Sequence, residues 1–356
     1  MSRKTKFFPI IAISLVVLAI LIFFVSKKYW NYAFAANVEL NAEKDFLYIP
    51  SASNYEDVIE ILSKSKYLLN IESFKFIAEY KKYNDKILPG KYELKNKMSN
   101  NDLVNLLRSG KQTPVQLSFI SVRNLNILAG KVSKFIEADS LELVNMFFSK
   151  EICSKYGFNE QTFISIFIPN TYQFYWNTSA EDFIKRMSEE YKSFWNSNRK
   201  ELAQNAGLSQ SQVSTLASII EEETQKNDEK SRMAGVYMNR LKRNMLLQAD
   251  PTVKYALGDF QLKRILNKHL TVNSLYNTYL YPGLPPGPIC VPSIASIDAV
   301  LNYENHKFLY FCAKDDFSGY HVFAENLNQH NLNAKKYHNA LRYLQWQDSA
   351  VRKMDK

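Results

Sequence analysis

Three carboxylates stand in a row at Glu221, Glu222 and Glu223, directly after a run that reads as a buried helix, Ala217-Ser218-Ile219-Ile220. Cleaving a glycosidic bond takes a carboxylic acid that stays protonated near neutral pH, and an apolar wall is the usual means of raising a glutamate that far. Val213, Leu216, Ile219 and Ile220 make an apolar stripe at helical spacing. At about 100° per residue, Glu223 falls on that stripe, Glu221 lies on its flank and Glu222 points away. Phase therefore marks Glu223 as the buried carboxylate and leaves Glu221 at the edge, where a cleft could open. A solvated acidic helix end has the same composition.

Other polar groups follow within reach along the chain. Pro251 forces Asp250 out of helix, so Gln248 and Asp250 are expected on a bent, extended loop; Asp250 could equally cap a segment from Thr252 to Leu257. Tyr276-Asn277-Thr278-Tyr279 precedes five prolines between Pro282 and Pro292, a density that excludes helix and stiffens the chain. Gly283 and Gly287 within it permit close backbone approach. This reads as one wall of a groove for an extended ligand, with a linker as the plainer reading. Aromatics from Tyr172 to Trp176 suit either a sugar cleft or a core. His321 and Phe323 share one face of a strand, where a lone histidine is more often structural.

The elements that must position these groups are mostly helical. Helices are expected at about 180–195, 231–244, 293–301 and 327–344, with a hairpin from Phe308–Ala313 to Tyr320–Phe323. Before them lies a small αβ unit with its own core and no acidic or metal-binding cluster. Leu47-Tyr48-Ile49 reads as a strand, Ser53 or Asn54 caps a helix, a second helix runs from Ile71 to about Lys82, and Leu88–Leu94 is a turn and strand. Ser99 and Asp102 are spaced as a capping box for a helix closed by Ser109-Gly110, and Val115–Val122 alternates as a strand.

The chain has 356 residues, enough for two domains and an anchor, with 46% hydrophobic and 22% charged residues and a net charge of +10. The positive balance suits an anionic partner. Phe7–Val25 is 19 residues without a charge, about 28 Å of helix and so close to the hydrocarbon thickness of a bilayer. Arg3, Lys4 and Lys6 precede it and Lys27 and Lys28 follow, which favours a cytoplasmic N-terminus with the bulk outside. Ala33-Phe34-Ala35 fits a signal cleavage pattern, but the apolar run is long for a signal core, so an uncleaved anchor is expected. Export argues against nucleic acid as a partner. Cys153, Cys290 and Cys312 match no metal motif; unpaired thiols are the simpler reading, and a Cys290–Cys312 bridge stays open.

Taken together, several segments resemble the endolytic murein transglycosylases, the YceG-like family. They are ASIIEEET (217–224), AGVYMNRL (234–241), LQADPTV (247–253), YNTYLYPGLPPGPI (276–289), LYF (309–311) with His321-Val322-Phe323, and Leu88–Leu94 with Met98–Gly110. They occur in the family's order and span about residues 45 to 340. Two places depart from the pattern: Ser121-Val122-Arg123-Asn124-Leu125 replaces an acidic-glycine turn, and Pro169-Asn170-Thr171-Tyr172 replaces Pro-Asp-Thr-Tyr.

The resemblance implies an α+β protein. It would have a cytoplasmic tail (1–6), a single transmembrane helix (7–26), a linker (27–44), a LysM-like module (45–120), a mixed α/β catalytic domain (121–347) and a polar tail (348–356). It implies cleavage of the β-1,4 bond between N-acetylmuramic acid and N-acetylglucosamine in nascent peptidoglycan strands. The muramyl 6-hydroxyl attacks internally and leaves a 1,6-anhydro end, with no metal or cofactor. Matched to the first Glu of the family's E-x-E-T motif, Glu221 is expected to be the acid/base. Glu223, Gln248, Asp250, Thr252, Tyr276, Asn277, Thr278 and His321 are expected to orient it or bind sugar. Glycan strands, the membrane and cell-wall synthesis proteins are the expected partners. The rival readings are a membrane-anchored peptidoglycan-binding protein without turnover, and a hydrolase, which needs a held water and usually a second carboxylate, Asp250 or Glu223.

Overall fold

The structure, a computed structural model, describes residues 7–262 and 264–354, with side chains from 10 to 346 apart from 263. The expected cytoplasmic tail, 1–6, and the last two residues of the polar tail lie outside the described residues. Helices and short two-stranded sheets make the chain α+β, divided into two compact units.

The first unit holds Met1–Gln116 with the short segments Phe135–Glu137 and Gln173–Thr178. Its first helix, α1 (Phe7–Phe34), is long and apolar enough to cross a bilayer, and its side chains from Ile10 to Asn31 are exposed. The helix does not stop at Val25: nothing from Lys27 to Phe34 breaks it. Instead of a free linker, its last turn packs Tyr32 and Ala33 against the unit's core. The chain beyond it is tied down by buried amides. Asn37 Nδ2 donates to Asn100 Oδ1 at 2.7 Å, and Asn100 Nδ2 donates to the Tyr32 carbonyl at 2.9 Å.

Next come β1 (Lys44–Ile49), α2 (Tyr55–Ser65), α3 (Ile71–Tyr80), β2 (Gly90–Lys95) and α4 (Asn100–Ser109). β1 and β2 pair antiparallel, Lys44 against Lys95 through Ile49 against Gly90. The caps fall where the side chains allow: Asn54 makes a capping box with Asp57, Ser99 accepts from the Asp102 N–H, and Gly110 ends α4 in the left-handed region. Leu47, Ile49, Val58, Phe74, Tyr92 and Leu103 are among the buried side chains of this core.

β3 (Val115–Phe119) leads into the second unit and pairs with β4 (Asn170–Phe174). Between them run α5 (Leu125–Val132), α6 (Ser140–Phe147) and α7 (Lys150–Lys155). Tyr172 and Phe174 are buried, so packing claims those two aromatics. Then follow α8 (Ala180–Phe194), α9 (Ser197–Asn205), α10 (Gln210–Glu223), α11 (Asn227–Lys242), α12 (Asp250–Leu257) and α13 (Ile294–Leu301). A hairpin of β5 (Tyr310–Ala313) and β6 (His321–Ala324) leads into α14 (Leu327–Met354), which runs past the expected end at Leu344.

α10 is the central helix of this unit. Ser209 caps it with Gln212 in a capping box, and every residue from Val213 to Ile220 is buried. α13 packs on both α10 and α11. The proline-rich segment crosses close to the rest of the unit at Gly287: a Cβ there would stand 2.0 Å from the Gln161 carbonyl oxygen, so only glycine fits. Cys153, Cys290 and Cys312 are free thiols, the first two buried.

Candidate active site

The last turn of α10 carries Glu221 and Glu223, and the two meet different surroundings. Glu221 Oε2 accepts from Lys230 Nζ at 3.0 Å, from the Ser293 hydroxyl at 2.5 Å, from the Ser296 hydroxyl at 2.5 Å and from the Ser293 N–H at 3.3 Å. The donors come from α11 and from the capped N-terminus of α13, so one carboxylate oxygen pins three helices. The Lys230 side chain is 4% exposed and the Glu221 side chain 11%. Burial pushes the Glu221 carboxyl up. The hydrogen bonds from Ser293, Ser296 and Lys230, with the ammonium charge, outweigh it and hold the group below the usual carboxylate range. A carboxylate so engaged is a poor proton donor at neutral pH, which runs against the expectation of Glu221 as the acid.

Glu223 stands at the C-terminal end of α10, half-buried, in a cavity of about 330 Å³. Tyr237, Arg240, Leu247, Gln248, Asp250, Tyr279, Tyr310 and His330 are among its lining residues. The Tyr237 hydroxyl donates to Glu223 Oε1 at 2.8 Å. Burial raises the Glu223 carboxyl to about 7. The Tyr237 hydrogen bond opposes this, the Asp250 charge adds to it, and Lys254 and Arg240 pull back down. The unpaired carbonyls at a helix C-terminus also disfavour a negative charge there. Such a group can give a proton at neutral pH and then hold the resulting charge beside Arg240.

The loop after α11 builds the rest of the wall. Gln248 adopts a left-handed backbone with φ of 50°, and Asp250 is the first residue of α12, beside Pro251. Ala249 precedes the helix without a side-chain cap, so the expectation that Asp250 caps it does not hold. The Asp250 carboxylate accepts instead from the Tyr279 hydroxyl at 2.6 Å. Thr278 holds the loop from behind. Its hydroxyl oxygen accepts the Ala249 N–H at 2.9 Å and lies 2.9 Å from the Thr252 hydroxyl, while its carbonyl accepts the Gln248 N–H. Asn277 donates to the carbonyls of Leu270 and Val272.

Thr252, Asn277 and Thr278 are essentially fully buried, and Tyr276 packs its ring on Tyr255. Sugar contact is therefore closed to those three; they shape the loop. His321 also lies elsewhere, its ring Nδ1 3.1 Å from Glu229 Oε2 and its backbone N–H donating to Glu229 Oε1. That buried carboxylate on α11 explains a strand histidine structurally. The sequence reading missed Lys230, Ser293 and Ser296 around Glu221, and Tyr237, Arg240, Tyr279 and His330 around Glu223. AGVYMNRL contains Tyr237 and Arg240, but only the packing shows that both turn toward Glu223.

A larger hollow of about 590 Å³, between Tyr156 and Ser211, has no carboxylate in its lining. Among the described residues, no three His, Cys, Asp or Glu side chains gather as a metal site.

With this geometry in view, a model of the YceG-like family matches residues 47–336. The chain belongs to the YceG-like family. An endolytic murein transglycosylase of Bacillus subtilis is 30% identical over 305 residues, covering 81% of this chain and 83% of that protein. An endolytic murein transglycosylase of Streptococcus pneumoniae is 28% identical over 329 residues. This chain spans 58% of that pneumococcal protein's length. The crystal structure of a yceG-like protein from Listeria monocytogenes matches with a TM-score of 0.55 and 28% identity, over 81% of this chain and 98% of that one. The family match includes both the Glu221 cluster and the Glu223 cavity.

Proposed function

We propose that this chain is a membrane-anchored endolytic lytic transglycosylase of peptidoglycan, with Glu223 in place of Glu221 as its acid and base. The observation that carries the reading is Glu223 itself, a carboxyl raised to about 7 within a polar cavity of a chain whose relatives are named endolytic murein transglycosylases.

In this reading a glycan strand lies with its N-acetylmuramic acid–N-acetylglucosamine bond over Glu223. Tyr237 occupies Oε1, so the other oxygen carries the proton. That proton passes to the glycosidic oxygen as the bond to the muramyl C1 breaks. The muramyl 6-hydroxyl then attacks C1, and the Glu223 carboxylate takes the hydroxyl proton. The proton lent is returned, a 1,6-anhydro end forms, and no water is consumed. One carboxylate suffices because the nucleophile belongs to the substrate, unlike the paired-carboxylate glycosidases. Arg240, beside the cavity, steadies Glu223 in its charged interval, and Gln248, Asp250 and Tyr279 hold the sugar from the loop side.

The wider assignment follows the same reading. α1 anchors the chain in the cell membrane as a single pass, since so much exposed apolar surface is unstable in water; the N-terminus is cytoplasmic and the catalytic unit outside. The strand–helix–helix–strand order of β1, α2, α3 and β2, with its antiparallel pair, supports a LysM-like module. Nascent glycan strands are the substrate, and cell-wall synthesis proteins are the partners that would supply them. The test is to incubate the detergent-solubilised full chain with uncrosslinked strands and read the new ends by mass spectrometry. Anhydro-muramyl ends support the lyase, reducing ends indicate a hydrolase, and strand binding without new ends indicates a binding protein.

A further inference from the structure

α14 contributes one histidine to the Glu223 cavity. His330, half-buried in the first turns of that helix, stacks its ring on Tyr310 with centroids 5.4 Å apart and planes 27° apart. Arg240 lies over the same tyrosine, 5.1 Å from the ring centre. His330 Nδ1 is buried and has no hydrogen-bond partner within the protein. Burial, and then the Arg240 charge, hold the imidazole below the ordinary histidine range, which keeps it neutral at pH 7. A neutral ring has one N–H and one lone pair. A ring that stacks on Tyr310, lines a polar cavity and spends no nitrogen on the protein is an unsatisfied group, which a bound molecule would relieve once a ring nitrogen turns to it.

We infer that His330 is a substrate-binding residue of this cavity, its imidazole hydrogen-bonding a hydroxyl or acetamido group of the sugar seated over Glu223 through a ring nitrogen turned to the cavity. The inference rests on the proposed reaction for the identity of the ligand. Sugar hydroxyls both donate and accept, so either tautomer of the ring finds a match. The cavity, at about 330 Å³, lies at the small end of the ligand-pocket range of roughly 300–1,000 Å³, which suits one sugar unit of a longer strand. His321, the histidine singled out in the sequence, has its Nδ1 engaged by Glu229 and is not part of this cavity's lining.

Two variants of the full-length protein separate binding from packing. His330→Phe keeps a flat ring on Tyr310 and removes the nitrogen; His330→Asn gives up the ring and keeps a polar atom near the Nδ1 position. With uncrosslinked glycan strands, His330→Phe is expected to raise KM roughly tenfold, the loss of about one hydrogen bond, with kcat within about threefold. His330→Asn is expected to stay within about threefold of wild type in KM. An unchanged KM in the phenylalanine variant, or equal losses in both, overturns the inference in favour of a packing role.

A direct readout guards against misfolded variants. Histidine-labelled Glu223→Gln protein, which binds without turnover, should show its His330 side-chain nitrogen resonance move on saturation with strands. An unmoved resonance overturns the inference. A moved resonance in a protein whose wild type makes no anhydro ends would keep the binding site and reject the reaction.

Discussion

Glu221 and Glu223, two residues apart on the last turn of α10, have their carboxyl pKa values pushed in opposite directions. Glu221 shares one oxygen among Lys230, Ser293 and Ser296 and is kept ionised, while Glu223 sits under Tyr237 with its carboxyl raised to about 7. A two-residue step on a helix turns the side chain by about 200°, so one faces the α11–α13 contact and the other the cavity. The same helix end thus supplies a fixed charge that locks the scaffold and a proton that can move.

The lock has a measurable strength. Glu221→Gln leaves Lys230, 4% exposed, without its counter-charge, and is expected to destabilise the fold by about 3–5 kcal/mol in denaturant unfolding. Adding Lys230→Met should recover part of that loss, and a double-mutant cycle should give a coupling of about 1–3 kcal/mol. Because the folded pKa of Glu221 is lowered, its contribution is present above the ordinary carboxylate range and disappears as pH falls through the lowered value. Additive losses in the cycle would contradict the lock.

The acid sets the alkaline side of the pH–rate profile. Activity should fall as pH rises through about 7, where Glu223 loses its proton. Tyr237→Phe removes a hydrogen bond that lowers the Glu223 pKa, so the alkaline limb should move up by about one pH unit; Asp250→Asn removes a charge that raises it, so the limb should move down. Shifts in the same direction for both variants would contradict this electrostatic account.

Glu223 also makes stability depend on pH, with the opposite sign to Glu221. Its folded pKa lies above the unfolded one, so its favourable contribution is full below the ordinary range near 4.5 and is lost as pH rises through about 7. At pH 8 the buried charge costs at most about 3 kcal/mol. Glu223→Gln is therefore expected to gain stability relative to wild type between pH 5 and pH 8, as read by thermal unfolding at both values.

Thr278 is expected to matter without touching substrate. Thr278→Val keeps the shape and strands the buried Ala249 N–H, at a cost of about 1–3 kcal/mol, and frees the loop that carries Gln248 and leads into Asp250 at the start of α12. Unfolding curves should show the loss, and KM should rise because the loop side of the cavity loosens. A stable variant with normal KM would contradict that role.

Much of the architecture was legible in local pattern, because caps and periodicity are local. Asn54, Ser99 and Ser293 begin their helices where side-chain spacing places them, and the β5–β6 hairpin falls where alternation and turn residues put it. Helical phase told the two carboxylates apart, but it marked Glu223 as the buried one and left Glu221 at the edge; the structure encloses Glu221, 11% exposed, between α10, α11 and α13 and puts Glu223 on the cavity. What phase cannot say is which partner a flank position meets. Lys230, Ser293 and Ser296 reach Glu221 only through the packing of α11 and α13 on α10. Asn277 and Thr278 read as an exposed polar patch because their buried partners are backbone carbonyls and a threonine 26 residues away. His330 was silent for a similar reason: on the polar face of a long terminal helix, nothing local distinguishes it from its neighbours. The helix through Phe34 was missed because charge change, unlike Pro or Gly, does not end a helix.

The most direct test compares Glu223→Gln with Glu221→Gln on the same substrate. Full-length wild type and each variant, confirmed folded by thermal unfolding, would be incubated with uncrosslinked peptidoglycan strands and the release of anhydro-muramyl ends followed by mass spectrometry. The account predicts anhydro ends from wild type and none above background from Glu223→Gln. It also predicts that Glu221→Gln, where it folds, retains measurable turnover with the alkaline limb still near 7. Normal turnover by Glu223→Gln, together with a folded but inactive Glu221→Gln, would contradict it and return the acid to Glu221.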